Sequence, residues 1–284
     1  SLFGCRRPFD GRFFFMLTVD IFTLAQVQRV AVMLGIDPQE FSVGDLVPRG
    51  WHFALLAGET ARDALRSDGF PGLGVPMPQL GLPRLLLGQR NTNFHTDLQI
   101  GGSVTRQSAV TSVAEKTGRN GPFAIVKVEH ILASVAAHPE ITETQTYVLA
   151  CPPTAASPKS VPMALPAGGV SKVVTPDDLM LFQYSALGFN THRIHFDRDY
   201  ATRVEGHPDL VVNGGLATLL ATEFLRKDLG LRIKSLSARH LAPLYVNRPL
   251  TICAHDLGAP EVRLHLLDED GVVAAELGIT LDEL

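Results

Sequence analysis

A fifteen-residue stretch occurs twice in this chain, and nothing else in the sequence constrains the fold as much. Asp45 to Glu59 (DLVPRGWHFALLAGE) aligns without a gap on Asp209 to Glu223 (DLVVNGGLATLLATE), with eight of fifteen positions identical. Ahead of each copy runs a helical pattern that opens at a threonine, Thr23 or Thr175, and closes at a glycine, Gly35 or Gly188, as capping chemistry requires. After each copy comes a matching strand and turn, Leu98-Gln99-Ile100-Gly101 against Leu244-Tyr245-Val246-Asn247. A chain written this way is expected to fold as two like units.

Each unit reads as a short helix, a loop, a longer apolar helix and a run of antiparallel strands. A helix that is apolar almost all round, such as Gly215 to Phe224, has to be buried, and a curved sheet wrapped about it achieves that. The expected class is therefore α+β, a double hot dog: two antiparallel sheets, each wrapped around a central helix and joined side by side. Pro and Gly cluster at Gly69 to Pro83 and Pro152 to Gly169, and the second cluster marks the boundary between units. The reading gives a tail over 1–15, a first unit over 16–150, a linker over 151–170 and a second unit over 171–284. Strands are expected near Leu85 to Asn93, Ser103 to Ala114, Phe123 to Ala133 and Glu143 to Leu149. After the linker come a helix, a polar loop, the buried helix and three strands.

Composition excludes several classes. With 25 basic and 29 acidic side chains among 284 residues, no basic surplus is available for nucleic acid. Helical apolar runs fall short of the roughly 20 residues that span a bilayer, so no membrane partner is expected. Three scattered cysteines, Cys5, Cys151 and Cys253, fit buried thiols in a reducing, cytoplasmic compartment. No zinc-ligand spacing, phosphate-binding glycine loop or Gly-x-Ser-x-Gly is present, and no metal is expected.

The two copies differ at one place. From threonine to aligned aspartate the first copy spans Thr23 to Asp45 and the second Thr175 to Asp209, twelve positions more. The surplus is a dense polar loop, Asn190-Thr191-His192-Arg193-Ile194-His195-Phe196-Asp197-Arg198-Asp199-Tyr200-Ala201. One active centre, in the second unit, is the expectation.

This loop resembles that of the MaoC-like (R)-specific hydratases and dehydratases of acyl thioesters. Their signature is an aspartate, any residue, Asn-Pro, an aliphatic residue and histidine, followed downstream by a helix that opens on His-Gly. Here Asn190 stands at the aspartate position, His192-Arg193 replaces Asn-Pro, Ile194-His195 keeps the ending, and Asn213-Gly214 opens the helix. The phrase Tyr184 to Asp197, with Gly50-Trp51-His52-Phe53, Phe94-His95, Lys116-Thr117-Gly118-Arg119 and Glu143-Thr144-Gln145, is similar to the double hot-dog hydratases of mesaconyl-C4-CoA, 3-methylfumaryl-CoA and itaconyl-CoA. Mitochondrial 3-hydroxyacyl-thioester dehydratases are relatives of that subgroup. The resemblance implies an acyl-CoA substrate, no cofactor beyond the CoA of that substrate, and a homo-oligomer.

Hydrating an enoyl thioester takes a base for water, a proton for Cα and donors for the thioester oxygen. His195 is the candidate proton carrier, since imidazole titrates near neutrality. Asn190 cannot ionise, so its expected part is to orient water. Gly214 and Gly215 open a helix whose first N–H groups can receive the thioester oxygen; packing of the helix start is the other reading of Gly214. His192 either contacts substrate or braces the loop, and Asn213 lies beside the same helix start. Arg193 either binds a substrate carboxylate or pairs with Asp197 or Asp199. Arg239 and His240, or Arg84 and Arg90, are candidates for the CoA phosphates, and Trp51 with Phe53 either caps the acyl pocket or packs in the core. The expected activity is reversible hydration of a small branched dicarboxylic enoyl-CoA such as itaconyl-CoA, giving citramalyl-CoA. A 3-hydroxyacyl-carrier-protein dehydratase, a hot-dog thioesterase using a carboxylate near a helix start, and a non-catalytic acyl-CoA sensor are the alternatives; Glu223 lies two turns into the helix, and its twin Glu59 in the copy without the loop points to packing or surface pairing for it.

Overall fold

A computed structural model of the chain describes residues 15–118, 121–134, 138–151, 161–164 and 168–282. The expected tail, Phe15 apart, and most of the expected linker lie outside these residues.

The first repeat supplies strand β1 (Phe15–Ile21), helix α1 (Leu24–Met33) and strands β2 (Arg84–Phe94), β3 (Ser103–Gly118), β4 (Gly121–Ser134) and β5 (Ile141–Ala150). The second supplies β6 (Val170–Val174), α2 (Asp178–Leu187), α3 (Gly214–Glu223), β7 (Ile233–His240), β8 (Leu250–His255), β9 (Glu261–Leu267) and β10 (Val273–Leu281). All ten strands form one antiparallel sheet in the order β1-β3-β4-β5-β2-β7-β10-β9-β8-β6. Read outward from the centre, both halves have the same order, so the duplication in the sequence is a duplication of topology. The halves join where β2 pairs with β7, from Gln89↔Arg239 to Asn93↔Ser235, and the expected pair of sheets is a single continuous one. β1 and β6, the outermost strands, were not expected, and four strands rather than three follow α3. β1 has its apolar residues Phe15, Leu17, Val19 and Ile21 on the exposed side, so it lacks the buried stripe that makes a strand readable.

Local chemistry explains the helix ends. Thr23 caps α1 through a reciprocal capping box with Gln26. In the second copy the cap is Asp177, which accepts from Met180 N–H, and not Thr175; Pro176 lies between them and an aspartate caps as well as a threonine. Gly101 and Asn247, paired by the repeat, both adopt positive φ, +83° and +59°.

The central helices are unequal. α3 is buried along nearly its whole length and runs on into a π turn, Phe224–Asp228. Its counterpart is only a 3-10 segment, Trp51–Leu56, where a long helix was expected. The buried Arg106 donates to the carbonyls of Leu55, at 2.5 Å, and Ala57, at 3.0 Å, taking acceptors that a further helical turn would use. The two segments pack at Gly50, where a Cβ would stand 2.5 Å from Thr222 Oγ1, and Trp51 Nε1 donates to Glu223 at 2.7 Å.

Candidate active site

The polar loop of the second copy folds back over the start of α3. His195 sits in a 3-10 turn, Arg193–His195, and is 7% exposed. Its Nδ1 lies 2.7 Å from the Val211 carbonyl, which can only accept, so Nδ1 carries the hydrogen and Nε2 keeps its lone pair. Burial, with the neighbouring His192 second, pushes the imidazole down to about 3, so the ring is neutral through the physiological range. His192 packs edge-on against His195, ring centres 5.2 Å apart, and burial holds it down at about 4. Asn190 Oδ1 accepts from His192 N–H, which leaves its amide N–H groups as what it can offer the cavity it lines.

That cavity, of about 170 Å³, is lined by Asn190, His192, His195, Asn213, Gly214, Gly215 and His240 on its polar side. Asn213 is the residue before α3, yet its side chain makes no cap; its Nδ2 points to Ser185 Oγ at 3.4 Å and its buried Oδ1 has no partner. The first N–H groups of α3 therefore stay open beside the cavity, where the helix carries partial positive charge. Space is tight at Gly214 and absent at Gly215. A Cβ on Gly214 would lie 3.2 Å from His240 Cε1 and from Leu87 Cδ2, and one on Gly215 would overlap the Tyr184 hydroxyl and stand 3.4 Å from Arg90 Nη1. Gly214 therefore packs closely against His240 and Leu87 and also stands at an uncapped helix start beside the cavity.

The first copy closes the other side. Its Pro/Gly-rich segment docks onto the polar loop, with Thr191 Oγ1 donating to the Gly69 carbonyl at 2.7 Å and Arg193 N–H to the Asp68 carbonyl at 2.9 Å. Phe70, Leu73, Leu85, Leu87 and Tyr147 give the cavity its apolar wall. Arg90, on β2 at the seam, also lines it, and behind Arg90 lies a buried polar network that the sequence reading missed. Glu143 takes His52 Nε2 at 2.7 Å, Thr92 Oγ1 at 2.9 Å and Gln145 Nε2 at 2.5 Å, with Arg90 Nε 3.0 Å away. Tyr147 donates to Gln145. Burial works to raise the Glu143 carboxyl, but Arg90 and His52 outweigh it and hold the group ionised. β5 turns Ile141, Glu143, Gln145, Tyr147 and Leu149 inward together, and charged residues on an inward face look like a solvated face in a sequence.

Several candidates sit elsewhere. Arg193 pairs with Asp197 at 2.7 Å and stacks 4.1 Å over Tyr200, which satisfies it within the loop. Arg239 points outward on β7, paired with Glu276, while His240 points inward with an unpartnered Nε2. Trp51 and Phe53 are core residues: Trp51 bonds Glu223, and Phe53 stacks on Tyr184 at 4.4 Å. Arg84 is held by Glu205 and His207, and Arg90 is too deep for a CoA phosphate. Glu223, two turns into α3, is engaged by Trp51 and Arg226, and no carboxylate lines the cavity among the described residues.

The equivalent place in the first copy is filled. Arg49 stands where the repeat has Asn213 and donates to Asp97, Asp282 and the Ile233 carbonyl; the hollow on its inner side, toward His52 and Phe94, holds only about 10 Å³, and the wider groove of about 570 Å³ lies on its other side, toward Arg226 and Arg232.

Comparison with known proteins agrees with this architecture. The family model for hydroxyacyl-thioester dehydratase type 2 matches residues 50–246. A mesaconyl-C(4)-CoA hydratase of Chloroflexus aurantiacus is 32% identical over 242 residues, 83% of this chain and 84% of the relative. The mitochondrial hydroxyacyl-thioester dehydratase type 2 of Schizosaccharomyces pombe is 40% identical over 241 residues, 74% and 78% of the two chains. Among solved structures, HtdX of Mycobacterium tuberculosis superposes with a TM-score of 0.68 at 16% identity, over 94% of this chain and 99% of its own. A MaoC-like dehydratase of Phytophthora capsici gives the same score at the same identity, over 95% and 96%. The chain belongs to the hydroxyacyl-thioester dehydratase type 2 family, on a MaoC-like double hot-dog fold.

Proposed function

We propose that the chain is a hydro-lyase that adds water reversibly to a small branched dicarboxylic enoyl-CoA, itaconyl-CoA or mesaconyl-C4-CoA, giving citramalyl-CoA. The observation that carries the reading is a neutral imidazole, oriented by a backbone carbonyl, in one cavity with an uncapped helix start. The thioester oxygen takes the N–H groups of Gly214 and Gly215, which stabilise the enolate as charge develops. His195 Nε2 accepts a proton from water as the water oxygen bonds to Cβ. With mesaconyl-C4-CoA the same Nε2–H then passes that proton to Cα, and with itaconyl-CoA, whose double bond joins Cβ to the terminal methylene, it passes the proton to that methylene; in either case one ring serves both transfers and returns neutral. Asn190, unable to ionise, holds the water. The growing enolate charge favours the imidazolium that burial alone disfavours.

Incubation with crotonyl-CoA, mesaconyl-C4-CoA and itaconyl-CoA tests this, following hydration by mass spectrometry and hydrolysis by free-thiol release. Hydrated thioester without thiol is expected; thiol without hydration would make the chain a thioesterase, and neither would favour a sensor. His195→Ala is expected to lower turnover by about a hundredfold or more, the scale of a lost acid–base group. Undiminished turnover in that variant rejects the assignment.

A further inference from the structure

We propose that Arg90, carried by the half without the polar loop, binds the free carboxylate of the acyl group and so selects short dicarboxylic thioesters. The inference rests on the acyl-thioester reading above and assigns the carboxylate to a residue other than Arg193, which Asp197 and Tyr200 occupy.

Three observations carry it. First, Arg90 is 6% exposed and is the one lysine or arginine that lines the cavity among the described residues. Apart from Arg90, the wall that the first repeat gives the cavity is apolar but for the Tyr147 hydroxyl: Phe70, Leu73, Leu85, Leu87 and Tyr147. A guanidinium there is poorly solvated and unfavourable to an alkyl tail laid against it, whereas a carboxylate would take its N–H groups bidentately. Second, Glu143 does not use up Arg90. Glu143 already receives His52, Thr92 and Gln145, and although Arg90 Nε is 3.0 Å from it, that N–H makes no hydrogen bond. Glu143 thus compensates the burial of the cation from one edge of the fork, the Tyr184 hydroxyl lies against the guanidinium as well, and the remaining N–H groups face the cavity that Arg90 lines. Third, the position sets a length. Arg90 Nη1 is 3.4 Å from where a Gly215 Cβ would be, so the cation lies beside the α3 N–H groups that receive the thioester oxygen. An acid bound at both ends must place its carboxylate only a few bonds from its thioester, which a four-carbon diacid skeleton does. The helix start adds its own partial positive charge to that of Arg90.

The test uses saturated analogues, so that binding is read apart from turnover. Kd values of succinyl-CoA and butyryl-CoA are measured by calorimetry on the wild type, on Arg90→Lys and on Arg90→Met/Glu143→Gln; the double variant avoids leaving Glu143 buried and unpaired. The wild type is expected to prefer succinyl-CoA by about 30-fold or more, the scale of a buried charged hydrogen bond. The preference should fall in Arg90→Lys and vanish in the double variant. Equal wild-type affinities, or a preference that survives the double substitution, overturn the proposal, and the wild-type comparison needs no variant to fold. A protein that prefers succinyl-CoA but hydrates no enoyl-CoA would instead refute the hydratase reading and leave the carboxylate site standing.

Discussion

Gly215→Ala probes the packing on which the site depends. Within a helix, alanine for glycine is worth up to about 1 kcal/mol from backbone entropy alone. Here the new methyl would overlap the Tyr184 hydroxyl, stand 3.1 Å from Tyr184 Cζ and 3.4 Å from Arg90 Nη1. Tyr184 cannot swing away at little cost, because its ring is buried and stacked on Phe53 at 4.4 Å. Overpacking of this kind costs about 1–3 kcal/mol, and an overlap as close as this one with a ring held in place puts it at the upper end, so after a propensity gain of up to about 1 kcal/mol a net loss of about 2 kcal/mol is expected. Tyr184→Phe removes the overlapping oxygen. Alone it should destabilise, since the hydroxyl lies against the Arg90 charge; combined with Gly215→Ala it should give back about 1 kcal/mol or more. Urea unfolding of the wild type, both single variants and the double variant closes the cycle. Strictly additive losses, or a Gly215→Ala protein more stable than the wild type, would refute the claim that Tyr184 and Arg90 press against the helix start.

Acid should unfold the protein early. Burial depresses the imidazoles of His130, His192 and His195 below their unfolded value, so the unfolded chain binds more protons as pH falls through about 6.5, and stability declines. The slope of about 1.4 kcal/mol per group per pH unit applies only below about pH 6.5, so with the similarly depressed His240 included, moving from pH 7.5 to 5.5 removes about 1.4 kcal/mol for each of four rings, roughly 5 kcal/mol, visible as a falling urea midpoint; a flat midpoint across that range contradicts the buried neutral rings. Gly69→Ala, at φ +79° with its Cβ directed into the Thr191 carbonyl, should loosen the docked loop and reduce turnover of mesaconyl-C4-CoA by a larger factor than any loss of folded protein seen in the melting curve. Arg239→Ala should leave kcat/KM within about twofold, because that side chain is outside the cavity and its surface ion pair is worth only about 0–1 kcal/mol; a tenfold loss would return it to the CoA site.

What could be read from the sequence was whatever repeated or conspicuously failed to repeat. The Asp45 and Asp209 copies predicted matching halves, and the halves have the same strand order about a β2–β7 seam. The twelve additional positions of the second copy predicted one polar loop, and Asn190, His192 and His195 meet in the cavity it covers. The helices were misjudged because aligned letters do not report long-range partners: Leu55-Leu56-Ala57 matches Leu219-Leu220-Ala221, yet Arg106, far away on β3, takes the carbonyls of the first copy. The same limit hid the pairing of Arg90 with Glu143: both residues stood out in the sequence, Arg90 as a CoA-phosphate candidate and Glu143 in a family-like motif, but not their meeting behind the cavity. Alternation with period two tells which residues share a face, but not whether that face meets water or a cavity, and a charged inward face has the pattern of a solvated one. The asymmetry therefore has two parts. One copy gained the polar loop that brings Asn190, His192 and His195 to the cavity; the other placed Arg49 at the position of Asn213 and turned Arg90 and Tyr147 toward its partner's cavity. Neither copy alone encloses that cavity, and this accounts for the two halves sharing a continuous sheet: the seam strand β2 carries Arg90 to within reach of a helix that belongs to the other repeat.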